Sequence, residues 1–540
     1  MKAATIKTFL DVHTWTGLAA GLALFIAFYT GAITVFMHEL EIWDAYTDDA
    51  STEQTSAQAQ DLIDLVVLRD PGAASAFRLY PSSDDHPGHS LYWFERLKDG
   101  KSETHYYRLT DSGELRTQED TAHLASFIYR LHYTAGLPRS FGLYVLGIVC
   151  LIYGIALISG LIVFLPNWLK DLFVVRDSSN NKRFWLDAHN VVGVISLPWH
   201  FMFAWSSAVL ALGILFLAPF QFLVFEEDLT ELFGKELGVI SSLEPAGNEG
   251  PALSVDEIVA IAERESPGME LTQIRFSNYR DANGTVSVFG QIEAGTLTPN
   301  ARVTMNVSTG EVLEVLHPSK ASLGATFYNG LIALHFVSFG GFLAKWVYFF
   351  LGLAGAFLFF SGNLLWIETR RKRRQFEQPA TGRFLARLTM GVCLGCIAGV
   401  SAAFLASRGL AELPDRADLT EMAYYAVFFA SILWVFAKPV AVGARDLLYL
   451  SALLTILIPV FDLLLIGQSI WKNAFTEHWP LLIVDLLALM GALTFWKMGR
   501  RVAIRAKTGD PNSVWADVVI ENQEKKNRKN LAGSVFEKVS

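Results

Sequence analysis

Cysteines, nucleotide-binding glycine motifs and basic surfaces are all scarce in this sequence of 540 residues. Its three cysteines, Cys150, Cys393 and Cys396, fall inside apolar runs, so no disulfide framework is indicated. No glycine-rich fingerprint follows a predicted strand, which argues against flavin or nicotinamide binding. No basic face lies outside short loops, which excludes nucleic acid as a partner. The first apolar run lacks a small-residue cleavage site, so we expect it to stay as a helix.

Long apolar runs are abundant instead, and 52% of the residues are hydrophobic. Several runs reach the length needed to cross a bilayer, which predicts a polytopic α-helical membrane protein. We expect about eight transmembrane helices, near residues 14–37, 141–165, 191–222, 343–367, 384–407, 419–437, 446–467 and 480–498.

The distribution of charge predicts the topology. Acidic residues, which give the chain its net charge of −9, collect in two long polar segments, 39–125 and 223–325. Lysine and arginine collect in the short loops, which all fall on one side if both termini are cytoplasmic. The two polar segments then face the opposite, extracytoplasmic side. The loop cations are Lys2, Lys7, Lys170, Arg176, Lys182, Arg183, Arg370, Arg371, Lys372, Arg373, Arg374, Lys438, Arg445, Lys497, Arg500, Arg501, Arg505 and Lys507.

Both polar segments have the pattern of a small α+β module. In the second, the amphipathic stretch "SVDEIVAIAERE" predicts a helix, and "ELTQIRFSN", "GTVSVFGQIE" and "ARVTMNVSTGEVLEVL" alternate like strands. The first is similar but weaker, with "AQDLIDLVVLR" followed by "AFRLY", "SLYWFERL" and "HYYRLTDSGEL". We therefore expect two related extracytoplasmic modules.

An internal repeat organises the chain. "DVHTWTG" opens the first span and "DAHNVVG" the third, while "RLHYTAG" and "ALHFVSFGG" precede the second and fourth, which run to Ser159-Gly160 and Ser361-Gly362. The unit is helix, module, helix, used twice. The predicted domains are repeat 1 at 8–166, repeat 2 at 185–370, a four-helix membrane extension at 380–500 and a cytoplasmic tail at 501–540.

The repeat predicts two facing pairs of histidines. Both copies start on the cytoplasmic side, so a pseudo-twofold axis should run along the membrane normal. His13 should then face His189 near the cytoplasmic surface, and His132 should face His335 near the outer surface. Each histidine alone is typical of a membrane boundary, but matched pairs favour axial ligation of haem. Zinc would need three or four ligands at one point.

Two further features bear on this hypothesis. Gly17, Gly21 and Gly193 would admit a flat macrocycle, or would serve close helix packing. His200 breaks the symmetry, and on a straight helix it would share a face with His189 about 16 Å further along. Three roles are open for His200: it ligates a haem, it lies between two haems, or it only donates a hydrogen bond to the backbone carbonyl that Pro198 leaves free.

The repeat, the "LHYTAG" and "LHFVSFGG" segments, the Ser-Gly pairs and the strand "MNVSTGEVLEV" make the chain resemble the PepSY-associated transmembrane family, over about residues 8–370. That family includes iron-regulated bacterial inner-membrane proteins and di-haem siderophore reductases. The resemblance implies two b-type haems on the histidines and a role in iron acquisition. The C-terminal four-helix extension departs from the shorter members.

Other candidate sites are weaker. "CLGC" has dithiol spacing, but it lies in lipid without a charge to activate a thiol, which favours helix packing. Asp462 and Asp485 lie at matching depth, as a proton or quinol site or as structural hydrogen-bond partners. His86 and His89 of "HPGH" could hold a metal, although an ordinary polar loop is the simpler interpretation.

These patterns lead to one leading hypothesis and two alternatives. The first is a haem-dependent transmembrane reductase that passes electrons from a quinol or a separate cytoplasmic reductase to a ferric siderophore or other ferric chelate at the periplasmic face. The second is a PepSY-type regulatory protein that inhibits proteases or senses a partner, without redox activity. The third is a proton-coupled transporter that uses the two aspartates.

Overall fold

The computed structural model of the chain forms two compact units. One comprises Met1–Ala45, Ala122–Leu212 and Trp346–Ser540, and the other comprises Tyr46–Thr121 and Gly213–Lys345. The predictions made for His86 and for the tail beyond 516 lie outside the described residues. The structure describes residues 2–45, 55–82, 89–96, 102–109, 113–117, 123–168, 181–223, 243–292, 297–375, 377–411, 413, 415–476 and 478–516.

The fold is that of a polytopic membrane protein with small α+β modules, as predicted. Within the described part of the chain, seven helices are long and apolar enough to span a membrane, and one bent pair makes an eighth if it counts as a single span. The helices are α1 (Ala3–Thr34), α2 (Met37–Ala45), α3 (Ser56–Arg69), α4 (His123–Thr134), α5 (Arg139–Phe164), α6 (Asn181–Ile195), α7 (Leu197–Leu223), α8 (Val255–Glu265), α9 (Leu323–Phe336), α10 (Gly341–Thr369), α11 (Ala380–Gly409), α12 (Arg416–Ala437), α13 (Val440–Leu465), α14 (Ile470–Phe475) and α15 (Trp479–Thr508).

The predicted third span is broken, which corrects the expectation of one straight helix. Helices α6 and α7 meet at Ser196 with a bend of 69°. Pro198 explains the break, because proline has no N–H to donate and its ring clashes with the carbonyl four residues earlier. His189 and His200 therefore lie on different helices, and an argument from a common helix face does not apply to them.

Helix α11 lies inside the bundle formed by the C-terminal extension. Gly391, Gly395 and Gly399 recur every fourth residue, and a Cβ on each would lie 3.1, 3.0 and 2.9 Å from atoms of helix α12. Such small residues let two membrane helices approach closely. Cys393 and Cys396 are buried and free on the same helix. Close packing of small residues therefore surrounds the "CLGC" segment.

The eight strands described in the second unit form one antiparallel sheet in the order β4-β3-β2-β1-β5-β6-β7-β8. The two modules meet edge to edge, because β1 pairs with β5. From that junction outward, the strands follow chain order in both modules, as β1-β2-β3-β4 and as β5-β6-β7-β8. A twofold relation between the modules has this property. The strands are β1 (Ala76–Tyr80), β2 (Ser90–Arg96), β3 (Ser102–Leu109), β4 (Leu115–Thr117), β5 (Glu270–Ser277), β6 (Thr285–Gln291), β7 (Asn300–Asn306) and β8 (Val312–Leu316).

The core of this unit lies between the sheet and helices α3 and α8. Alternate strand residues point to that side, as the period of two requires. Helix α8 begins at a capping box in which Ser254 and Glu257 bond each other's backbone N–H groups. The buried side chains of this core include Phe77, Leu79, Leu91, Ile274, Phe276, Val286, Val288 and Val303 from the sheet, and Leu62, Ile63, Val66 and Ile258 from the helices.

Candidate functional site

The two Asp-x-His motifs bring their histidines together. The ring centroids of His13 on α1 and His189 on α6 lie 6.2 Å apart, with their planes at 71°. Two imidazoles that ligate one metal ion from opposite sides, with metal–nitrogen distances of about 2 Å, have ring centroids about 6 Å apart. The observed separation therefore suits a shared axial ligand pair.

His13 is oriented by the Ser-Gly pair of helix α5. Its Nδ1 lies 2.8 Å from the carbonyl oxygen of Ala156, which also accepts a hydrogen bond of 3.1 Å from Ser159 Oγ. A Cβ at Gly160 would lie 2.7 Å from His13 Cε1, closer than real Cβ contacts. The glycine is therefore required for the ring to reach the carbonyl.

His189 is held in an equivalent way by the second Ser-Gly pair, on helix α10. Its Nδ1 lies 3.1 Å from Ser361 Oγ, which donates in turn to the carbonyl of Leu358 at 3.0 Å. A Cβ at Gly362 would lie 3.4 Å from the ring. Because Nδ1 donates its proton in both histidines, Nε2 carries the lone pair that can bind a metal.

His132 on α4 repeats this arrangement against helix α1. Its Nδ1 lies 2.8 Å from the carbonyl oxygen of Ala27, and a Cβ at Gly31 would lie 2.6 Å from the same nitrogen. In all three cases the glycine follows the residue of the carbonyl by four positions. A helical carbonyl points toward that position, so glycine there uncovers it. The sequence carried this signal as Ala-x3-Gly at Ala27 and Ala156 and as Leu-x3-Gly at Leu358, and its role was not predicted.

His335 lies near the C-terminal end of α9, in the second unit. Its ring packs edge-on against Phe336 at 5.2 Å between centroids. Its predicted pairing with His132 joins residues of different units and stays a prediction.

His200 lies in an aromatic cluster inside the first unit. It is 1% exposed, and the hydroxyl of Tyr153 forms a hydrogen bond with its Nδ1. The bond to Tyr153, rather than a carbonyl freed by Pro198, satisfies this nitrogen. Nε2 is buried and has no hydrogen-bond partner among the described residues. The rings of Phe28 and Tyr153 contact His200, and those of Phe203 and Phe359 pack against Phe28, so the cluster includes four different helices.

The glycines predicted to admit a macrocycle differ in their surroundings. A Cβ at Gly17, one turn after His13, would meet nothing within 4 Å. At Gly193, one turn after His189, it would lie 3.4 Å from Leu358, and at Gly21 it would lie 3.4 Å from the amide of Asn363. Space beside the histidine pair is therefore greatest at Gly17.

The two aspartates of the extension lie next to each other and are almost fully buried. Asp462 forms an ion pair with Arg408 at 2.8 Å and accepts a hydrogen bond of 2.7 Å from Trp43 Nε1. The guanidinium of Arg408 also lies 4.0 Å from the centroid of the Trp43 ring. Arg408 and Trp43 were not predicted, since neither stands out in the local sequence.

Asp485 is the second carboxyl of this cluster. It is 1% exposed and lies beside Asp462 and Asn473. The guanidinium of Arg408 is the one positive charge found beside both carboxyl groups among the described residues. A buried carboxylate without a cation of its own is unfavourable, so Asp485 is expected to be protonated.

A second buried ion pair connects the extension to repeat 1. Arg416 pairs with Asp44, which also accepts a hydrogen bond from Ser407 and a 3.0 Å bond from the backbone N–H of Leu124. Trp43 and Asp44, both on helix α2, therefore bind two arginines of the extension. The extension is an integral part of the first unit rather than an appended domain.

His89 of the "HPGH" segment is satisfied by the backbone. Its Nδ1 accepts from the N–H of Ser82 at 2.9 Å, and its Nε2 lies 2.8 Å from the carbonyl oxygen of Thr55. A structural role accounts for these contacts. Elsewhere in the second unit, Glu95, Glu103 and His105 place ligand atoms within 4.8 Å of one another, but all three are at least partly exposed.

Comparison with known proteins identifies the class of membrane protein. The model of the PepSY-associated TM region matches residues 10–369, so the chain belongs to this family. An uncharacterized protein of Pseudomonas aeruginosa, PA4219, is 25% identical over 283 residues, which cover 49% of this chain and 68% of that protein. The family match includes both Asp-x-His motifs and both Ser-Gly pairs. The helices of the extension lie beyond it.

Proposed function

We propose that this chain is a haem-b-containing electron conduit of the bacterial inner membrane. It reduces an extracytoplasmic acceptor, a ferric siderophore or other ferric chelate, in iron acquisition. The observation that carries the proposal is the facing pair of His13 and His189, with both Nδ1 atoms engaged and a centroid separation of 6.2 Å. Such anchoring orients a metal-ligating imidazole and raises its basicity.

The surrounding residues fit a b-type haem at this position. His13 and His189 would hold it, and His132 would contribute to a second haem. Haem supplies a one-electron couple of its iron when bound. The chain positions the imidazoles through Ala156, the Ser-Gly pairs and apolar helix faces that exclude water.

The excess of basic residues in the short loops supports a cytoplasmic position for the His13–His189 pair and a periplasmic position for the modules. Electrons then enter from a quinol or a separate cytoplasmic reductase and leave toward the modules. Reduction promotes iron release, since ferrous iron is less highly charged and binds hard oxygen donors less tightly than ferric iron.

The absorbance spectrum tests this proposal. Protein purified from haem-supplied cells should show reducible b-type bands with about two haems per chain. A colourless, folded preparation contradicts the proposal and favours the regulatory alternative, in which the periplasmic modules hold a partner and the histidines are structural.

The glycine beneath His13 provides a finer test. Gly160→Ala places a Cβ 2.7 Å from the His13 ring and is expected to displace it, with loss of one haem component. Gly154→Ala on the same helix is the matched control, because a Cβ there meets nothing within 4 Å. Haem content per chain is the measurement. Equal haem content in the two variants would show that the ring does not need this position.

A further inference from the structure

The eight-stranded sheet has a second face, opposite the core, that is rich in arginine. Cross-strand partners point to the same side of a sheet, so the register assigns each side chain to a face. Glu314 lies on this face and pairs with Arg302 at 2.6 Å, and Glu270 lies at its edge beside a β-bulge. The arginines of this face, here called the arginine face, are Arg78, Arg108, Arg275 and Arg302.

Two of these arginines are direct neighbours at the junction between the modules. Arg78 of β1 and Arg275 of β5 are cross-strand partners. Like charges directly opposite each other destabilise a sheet. Among the described residues neither guanidinium forms an ion pair, and burial and then the charge of Arg78 lower the pKa of Arg275. An anion between them would relieve this repulsion.

Aromatic rings flank the arginine pair. Arg78 donates a hydrogen bond of 2.7 Å to the hydroxyl of Tyr92, whose ring stacks on Tyr80 at 5.5 Å between centroids. On the other side, the Arg275 guanidinium lies 4.4 Å from the centroid of Phe289. Phe94, next to Tyr92 on the same face, is 52% exposed. The face therefore offers flat apolar rings beside positive charge.

We propose that the arginine face binds the acceptor as an anionic ferric chelate with aromatic oxygen donors, of the catecholate class. This deepens the proposed function and rests on it for the role of the bound chelate. Guanidinium groups match anionic oxygens in charge and donor geometry, and aromatic rings stack on planar ligands. The arginine pair lies where the two modules meet, so both modules contribute positive charge to one chelate.

Binding to the full-length protein in detergent tests the site. A ferric tris-catecholate, which is trianionic, and a neutral ferric tris-hydroxamate are titrated separately, with tryptophan fluorescence as the readout. Arg78→Gln with Arg275→Gln should weaken catecholate binding by roughly tenfold to a hundredfold, since two charged donors are lost.

Arg78→Lys with Arg275→Lys should retain part of the affinity, which separates loss of charge from loss of fold. Arg264→Gln, at a 68% exposed arginine of helix α8, is the control and should bind like the unchanged protein.

The outcomes separate this proposal from the proposed function. Equal affinity of the unchanged protein for the two chelates, or unchanged catecholate binding in the double glutamine variant, overturns the arginine site. The haem spectrum of the same samples reports on the electron conduit, independently of chelate binding. A normal spectrum without arginine-dependent binding therefore rejects the site alone, and a colourless protein rejects the conduit.

Discussion

Replacement of His189 by alanine is expected to remove one of two haem components while the other remains. His13→Ala should remove the same component, because the two rings lie 6.2 Å apart as one ligand pair. Ser361→Ala removes only the group that orients His189, and loss of such a partner weakens metal binding by about 10- to 100-fold. The measurement is the reduced-minus-oxidised spectrum with haem content per chain.

Three further variants complete this experiment. His132→Ala should affect the other component. His200→Ala should alter the reduction potential more than the haem content, since Tyr153 and Phe28 already contact its ring. His317→Ala is the control, because among the described residues His317 forms hydrogen bonds with Ser319 alone. If His13→Ala and His189→Ala removed different components, the shared-pair assignment would be wrong.

The fold class and the approach of His13 to His189 could both be read from the sequence. The apolar runs are long, and the repeated Asp-x-His motif places equivalent residues at equivalent depths. Repetition is informative here because a symmetry axis converts it into proximity. The repeat also predicted that the two Ser-Gly pairs occupy equivalent helix positions. It did not predict that Gly160 lies against the ring of His13.

Other features depended on contacts that no local pattern encodes. The pairing of β1 with β5 joins strands from different modules. The alternation of apolar and polar residues along a strand is the same whether or not that strand pairs at the edge of its module. Arg408 and Trp43 lie far apart in sequence, and each is ordinary at a helix end. The bend at Ser196 could have been predicted from Pro198, because proline breaks helices. The continuous apolar run around it favoured a single span instead.

Removal of both aspartates from the extension is expected to destabilise the first unit strongly. Asp462→Asn with Asp485→Asn leaves Arg408 buried without an anion, and breaking a buried ion pair costs about 3–5 kcal/mol. Asp485→Asn alone should cost much less, because a protonated carboxyl and an amide are both neutral. Asp462→Asn alone should lie between them, since Asp485 is then close enough to ionise and replace the lost charge.

The order of these variants in thermal unfolding in detergent, followed by size-exclusion chromatography, tests the charge assignment. Asp446→Asn is the matched control, because its pair with Arg445 at 2.7 Å is partly exposed and such pairs contribute about 0–1 kcal/mol. If Asp485→Asn alone destabilised the protein as much as the double variant, Asp485 would be the ionised partner of Arg408. If instead the double variant unfolded like the control, the cluster would not connect repeat 1 to the extension. Because Trp43 binds both Asp462 and Arg408, the expected loss of stability should be accompanied by a shift in its fluorescence.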